Sequence, residues 1–264
     1  IQDTSRGRRA IVDLPASGYT WLPLNSGSAA PVAGSTQLVE DLVLRNEHFE
    51  IHVNGRTGGI ERIKGYGRKP NVLSQQLAFR FPRERSLRSA DGSPDEETRD
   101  FYSQMVCHGV EVLSRGPHVG EIRTTGAIID QLDGQPLATF KQTLRTVRYS
   151  PFVELDVELD ITRMPEGDPW SNYFTSRFAF NDATSAVTRN TLGSAQPAGR
   201  DRFESPYFVE IANETQRVAI IAPGLPFYRR TGDRMLDAIL VPEGETQRRF
   251  SLRIAVDHPY PQSA

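Results

Sequence analysis

Residues 152–161 read FVELDVELDI, so that Phe152, Val153, Leu155, Val157, Leu159 and Ile161 alternate with Glu154, Asp156, Glu158 and Asp160. Successive side chains of a β-strand point to opposite faces, and this segment as a strand has one apolar face and one line of carboxylates. As a helix it would scatter both around the axis. The same two-residue rhythm returns in EDLVLRN, FEIHVN, QLAFRF, MVCHGVEVL, EIRTTGAII, LATFKQTLRTVRY, FTSRFAF, YFVEIAN, RVAIIAP and RRFSLRIAVD. No long stretch carries a helical period. The recurrence predicts an all-β chain with far more strands than a seven-stranded immunoglobulin sandwich: a large antiparallel supersandwich with a small accessory β unit.

Turn residues punctuate this pattern. In NEHFEIHVNGRTGGIERIKG (residues 46–65), Phe49, Ile51 and Val53 share one strand face, and Ile60 and Ile63 resume it after the break. Asn-Gly and Gly-Gly supply the positive-φ positions of a tight reversal, which makes this a β-hairpin. NSGSAAPVAGST (residues 25–36) is a Gly/Ala/Ser/Pro connector. It divides a short β unit with its linker, residues 1–36, from the supersandwich at residues 37–264. RERSLRSADGSPDEETRD (residues 83–100) offers almost no core-forming residue, and its charge predicts a mobile loop. RNTLGSAQPAGRDRFESP (residues 189–206) reads as another long loop.

Charge and cysteine content exclude several classes of function. A net charge of -2 gives no footprint for a phosphate backbone, so nucleic acid is not expected as a partner. No apolar run is long enough to span a bilayer, and no membrane partner is expected. A single cysteine, Cys107, rules out an internal disulfide or a thiolate cluster, and it reads as a small buried hydrophobe. The chain starts at Ile1 without a signal-peptide pattern, which suggests a fragment or processed piece.

Candidate chemistry is sparse. His48, His52, His108, His118 and His258 are scattered and form no zinc signature, and there is no nucleophile elbow or phosphate loop. The carboxylates of residues 152–161 lack the Asp-Gly loop or histidine that would complete a metal site, so they read as a solvated strand face. Two segments stand out: MPEGDPWSNYFTSRFAF and APGLPFYRRTGDRMLDAILV. Asp168-Pro169 makes a turn ahead of Trp170, Tyr173 and Arg177, and Arg229 and Arg230 follow Tyr228. Aromatic rings beside arginines suit a hydroxyl-rich ligand, whose apolar faces pack on rings while its hydroxyls take directed hydrogen bonds. A buried Trp170 that merely anchors its loop is the competing reading.

Five stretches resemble, in order, the C-terminal β-sandwich region of glycoside hydrolase family 38 α-mannosidases. They are VDLPASGYTWLPL, LRNEHFEIHVNGRTGGIERI, FKQTLRTVRYSPFVELDVELD, DPWSNYFTSRFAF and RVAIIAPGLPFYRR with MLDAILV after it. The likeness is strongest over residues 11–63 and 140–257 and weak across 66–118. It implies a galactose mutarotase-like supersandwich that scaffolds an upstream catalytic domain of the same polypeptide and contributes to binding mannose-containing glycans. Trp170, Tyr173, Arg177, Arg229 and Arg230 are the carbohydrate-binding candidates. In such a parent enzyme the two carboxylates of a retaining glycosidase and a zinc ion lie in that upstream domain. No cofactor and no catalytic residue is expected in these 264 residues. A free-standing carbohydrate-binding module is the alternative. A mutarotase-like sugar epimerase ranks third, because no histidine falls in a motif of that family.

Overall fold

The structure is a computed structural model that describes residues 2–9, 12, 18–19, 21, 37–66, 71–88, 94–191 and 193–257, with the side chains of residues 83–99 outside that description. Among the described residues there are 21 strands and no helix. The first ones are β1 (Gln2–Thr4), β2 (Gly7–Arg9), β3 (Val39–Glu40), β4 (Val43–Arg45), β5 (Phe49–Val53), β6 (Ile60–Gly65) and β7 (Leu73–Arg88). Next come β8 (Pro94–Tyr102), β9 (Gln104–Ser114), β10 (Val119–Ile129), β11 (Pro136–Val147), β12 (Phe152–Ile161), β13 (Tyr173–Phe180) and β14 (Ala186–Thr191). The last among the described residues are β15 (Ser194–Pro197), β16 (Arg202–Glu204), β17 (Phe208–Ala212), β18 (Arg217–Ile221), β19 (Phe227–Arg230), β20 (Met235–Val241) and β21 (Arg249–Val256).

The first large sheet runs β16-β19-β20-β13-β7-β6-β5-β4-β3, with β8 also paired to β7; the second runs β15-β14-β17-β18-β21-β12-β11-β10-β9. Their inner faces form one core, with Phe79, Phe174 and Phe178 from the first sheet against Val153, Leu155, Val157 and Ile254 from the second. This is the sandwich expected when every strand has one dry face.

The hairpin of β5 and β6 ties the sheets together. Its Gly58, at φ 82°, offers its carbonyl to Thr124 Oγ1 at 2.9 Å and Gln142 Nε2 at 3.1 Å. A Cβ on Gly58 would stand 3.1 Å from Thr124 and 3.2 Å from Phe140, so the turn sits against β10 and β11 with no room for a side chain. Gln75 continues the polar bridge, donating to Gln142 Oε1 and Ser176 Oγ, each at 3.1 Å.

Four expectations need correction. Residues 83–100 are largely strand: β7 and β8 pair from Arg80↔Tyr102 to Arg88↔Pro94. A strand ladder is made of backbone hydrogen bonds, so a charged segment can be a strand without supplying core residues. Residues 189–206 likewise carry the end of β14, β15 and β16, paired as Arg189↔Gln196 and Arg202↔Arg229. Cys107 is half-buried, and its Sγ lies 3.3 Å from the Gly109 carbonyl.

The carboxylates of β12 are the fourth case, because most of them are answered across the sheet. Facing residues Glu121, Arg145, Glu154 and Arg253 make a transverse row of alternating sign over β10, β11, β12 and β21. Lys141, Glu158 and Arg249 form a parallel row. Opposite charges facing each other across strands are favourable and like charges are not, which is why the line of acids is stable here. Arg145 and Glu121 are 1% and 0% exposed. The accessory hairpin of β1 and β2 covers them: Ser5 N and Oγ each donate to Glu121 at 2.8 Å, and Arg6 pairs with Glu154 at 3.1 Å and with Asp156. The connector at residues 25–36 lies outside the described residues.

Candidate functional site

The outer face of the first sheet has a different charge pattern. Its transverse row reads Arg202, Arg229, Asp237, Arg177 and Gln76 over β16, β19, β20, β13 and β7. Two arginines face each other directly at the β16–β19 end, and three arginines share one acid. Since like charges opposite one another destabilise a sheet, this row needs anions from outside it. The protein supplies two, Asp100 to Arg229 at 3.9 Å and Asp168 to Arg202 at 3.6 Å.

Asp237 is the centre of the row. It is 0% exposed, and its Oδ2 accepts from Tyr102 Oη at 2.8 Å and Tyr173 Oη at 2.9 Å. Arg177 Nε lies 3.5 Å from Oδ1, and its guanidinium stacks 3.5 Å from the centre of the Tyr102 ring. Burial pushes the Asp237 carboxyl above the usual aspartate range despite the Arg177 charge. Burial and the Asp237 charge push Tyr102 up to about 12, and burial with the same charge raises Tyr173 as well. Both phenols therefore stay protonated as donors, and Asp237 fixes their direction.

Arg80, 1% exposed, holds the next layer. It donates to the Ser171 carbonyl at 2.6 Å and pairs with Asp100. The turn it grips is set by Asp168, whose carbonyl accepts from Ser171 N and Asn172 N at 2.9 Å and whose Oδ1 accepts from Trp170 N at 3.1 Å. The Ser171 hydroxyl and the backbone of Trp170 hold the Asp168 carboxyl below its ordinary value. Arg229 donates to the Trp170 carbonyl from the other side, and the indole packs edge-on against Phe227 at 5.7 Å.

The five sequence candidates thus lie around Asp237, the Trp170 turn and the cavity beside them. Trp170 is half-buried and borders one cavity; Arg229 and Arg230 line a second one of about 700 Å³ with Asp100, Tyr102, Asp201 and Thr231. Arg177 lies under Tyr102. Tyr173 is fully buried, so its hydroxyl serves Asp237 and not the cavity. Sequence reasoning missed Arg80, Asp100, Tyr102 and Asp237. A signal did exist for two of them: Arg80 and Asp237 are lone charges inside the apolar strands LAFRF and MLDAILV. A buried charge requires a partner. The cavity walls therefore mix carboxylates and guanidinium groups, which can accept from and donate to the hydroxyls of a polyol.

No protein-family model and no curated protein sequence matches the chain. Among solved structures, an α-mannosidase from Enterococcus faecalis V583 aligns over 84% of this chain and 30% of its own, with a TM-score of 0.62 and 10% identity. A protein in glycosyl hydrolase family 38 from Enterococcus faecalis aligns over 84% and 31%, again at 0.62 and 10%. A galactose mutarotase-like protein from Lactobacillus casei ATCC 334 aligns over 81% and 98%, at a TM-score of 0.45 and 8% identity. The chain spans about a third of the length of the first two, and what it shares with them is the fold of that part of those chains.

Proposed function

We propose that this chain is the β-sandwich portion of a family 38-type α-mannosidase, where it scaffolds an upstream catalytic domain and helps to bind mannose-containing glycans. The observation that carries this reading is the alignment of 84% of the chain with under a third of an α-mannosidase. The ordered motifs of the sequence point the same way. Hydrolysis belongs to the upstream domain in this reading. Among the described residues no group of three or more His, Cys, Asp and Glu could hold a metal ion, so the side chains here do not fit the zinc of such an enzyme. In this reading the chain positions the catalytic domain and binds the glycan.

The cavity beside Arg229 and Arg230 is the surface we assign to the glycan. Asp100 and Asp201 can accept from sugar hydroxyls, and Arg230 can donate to them. Titration calorimetry of the chain with α-mannobiose, with Arg230→Ala as the variant, tests the assignment. The expected result is weak binding that Arg230→Ala lowers several-fold with an unchanged melting temperature, and no turnover of aryl α-mannosides by the chain alone. Equal binding by the variant would remove the cavity from the site. Turnover by the chain alone would overturn the division of labour. The parent reading frame tests the assembly: an upstream β/α region with a His-x-Asp motif is expected, and its absence would favour a free-standing carbohydrate-binding module.

A further inference from the structure

The cavity that Trp170 borders, of about 630 Å³, lies between β14 of the second sheet and β16, an edge strand of the first. Its walls include Trp170, Arg189, Thr191, Arg200, Arg202 and Phe203. Arg189 and Thr191 come from β14 of the second sheet. They lie two and four residues beyond the core residue Val187 and so share its inward face. Arg202 comes from β16 of the first sheet, and Arg200 from the segment before it.

Three guanidinium groups, one from β14 and two from the stretch that leads into β16, therefore border one space. Glu204 is the one carboxylate among its lining residues, and Asp168 reaches Arg202 at 3.6 Å. Among the described residues, neither Arg189 nor Arg200 has an ion-pair partner. Two polar atoms facing this region are also buried without a hydrogen bond: Arg189 Nε and Thr191 Oγ1. Buried polar atoms are nearly always paired, and leaving one unpaired costs the desolvation of that group. Each of these features is relieved by one event, the arrival of an oxyanion.

From this geometry we infer that the cavity binds an anionic sugar, one that carries a phosphate or sulfate ester, with the ester among the three arginines and the ring against Trp170. Arginine forks match the oxygens of such esters, and an indole gives a flat apolar surface to a pyranose ring. Three arginines on two stretches of chain, one in each sheet's strand system, can approach a tetrahedral group from more than one side, which a planar carboxylate does not exploit. The inference stands apart from the mannosidase reading, because it rests on the arginine cavity and not on the fold.

Titration of the chain with mannose, mannose 6-phosphate, mannose 6-sulfate and inorganic phosphate tests it, in wild type, Arg189→Gln and Arg200→Gln/Arg202→Gln. The two substitutions in the pair are solvent-exposed, so that variant keeps its fold if Arg189→Gln does not. An ester of mannose should bind at least about tenfold more tightly than mannose, and each variant should lose about that factor for the ester alone. Added salt should weaken ester binding and leave mannose binding unchanged. The phosphate and sulfate arms decide which ester fits better, and a preference for either supports the site. Equal affinity for mannose and its esters would overturn it while leaving a neutral glycan site intact. Inorganic phosphate binding as tightly as the sugar ester would overturn the sugar part, and no binding of any anion would overturn the whole.

Discussion

Arg145 shows how much one side chain can depend on a distant one. It is sealed between Glu121, Glu154, Asp156 and Ser5, and Glu121 is as buried as it is. Removing one member of a buried pair leaves an uncompensated charge, so Arg145→Met should cost about 3–5 kcal/mol, while Glu121→Leu with Arg145→Met should recover most of it. The pH dependence has a definite sign. Burial raises the Glu121 carboxyl, but hydrogen bonds from Ser5 and Arg145 outweigh it and hold the group below its ordinary 4.5. Asp156 is likewise opposed by burial and held low by Ser251, Arg6 and Arg145. A lowered carboxylate stabilises the native state above its unfolded pKa, and that stability is lost as pH falls through the folded value. Without Arg145, Glu121 keeps the two Ser5 hydrogen bonds but loses the charge beside it, so its carboxyl titrates higher than in the wild type and acid relieves part of the cost. The stability gap between wild type and Arg145→Met should therefore shrink between pH 7 and pH 4 in urea titrations, and a gap constant with pH would refute the pairing. Asp237, raised by burial, has the opposite sign, but it is common to both proteins and cancels. The sequence shows the acids of β12, whereas their partners follow only from cross-strand register.

Among the elements, the hairpin of β5 and β6 was the most legible, because alternation and the Asn-Gly and Gly-Gly steps are local signals. Its role between the sheets was not, since that depends on Thr124 and Gln142 far along the chain. Gly58 needs both its positive φ and its lack of a Cβ, whereas Gly134, at φ 72°, needs only the first, with open space around it. A left-handed conformation costs an L-residue about 1–2 kcal/mol and overpacking adds about 1–3. Gly58→Ala should thus destabilise by about 2–5 kcal/mol and Gly134→Ala by about 1–2 in the same denaturant titration. Similar losses at both sites would mean that the turn does not press on β10 and β11. Residues 83–100 mislead for the reverse reason. Composition reports on core burial, and the β7–β8 ladder is held by backbone groups to which composition is blind.

At the scale of the molecule, alternation reveals that each strand has a wet and a dry face, and from this the all-β sandwich follows. It does not reveal which strands are neighbours, so the row Arg202, Arg229, Asp237, Arg177 and Gln76 was hidden, although Arg177 and Arg229 were singled out for the company they keep on their own segments. The pairing order has a consequence that sequence order disguises. The last strand among the described residues, β21, is not an edge: it lies between β12 and β18 and joins the two halves of the second sheet. Its Phe250, Leu252, Ile254 and Val256 are all in the core. At about 1.5–3 kcal/mol for each buried side chain, their loss approaches the roughly 5–15 kcal/mol by which a typical domain is stable. Truncation after Arg248 should therefore abolish cooperative melting and expose two unpaired strand edges to aggregation. Deleting residues 1–9 removes an element that covers an outer face and interrupts neither sheet, and Arg145 keeps Glu121, Glu154 and Asp156. That shorter chain should keep a single sharp transition at a lower melting temperature. Circular dichroism melts of both truncations decide the point: cooperative unfolding after loss of β21 would mean that the two halves of the sheet are independent, and loss of the transition after removal of residues 1–9 would make the accessory hairpin part of the core.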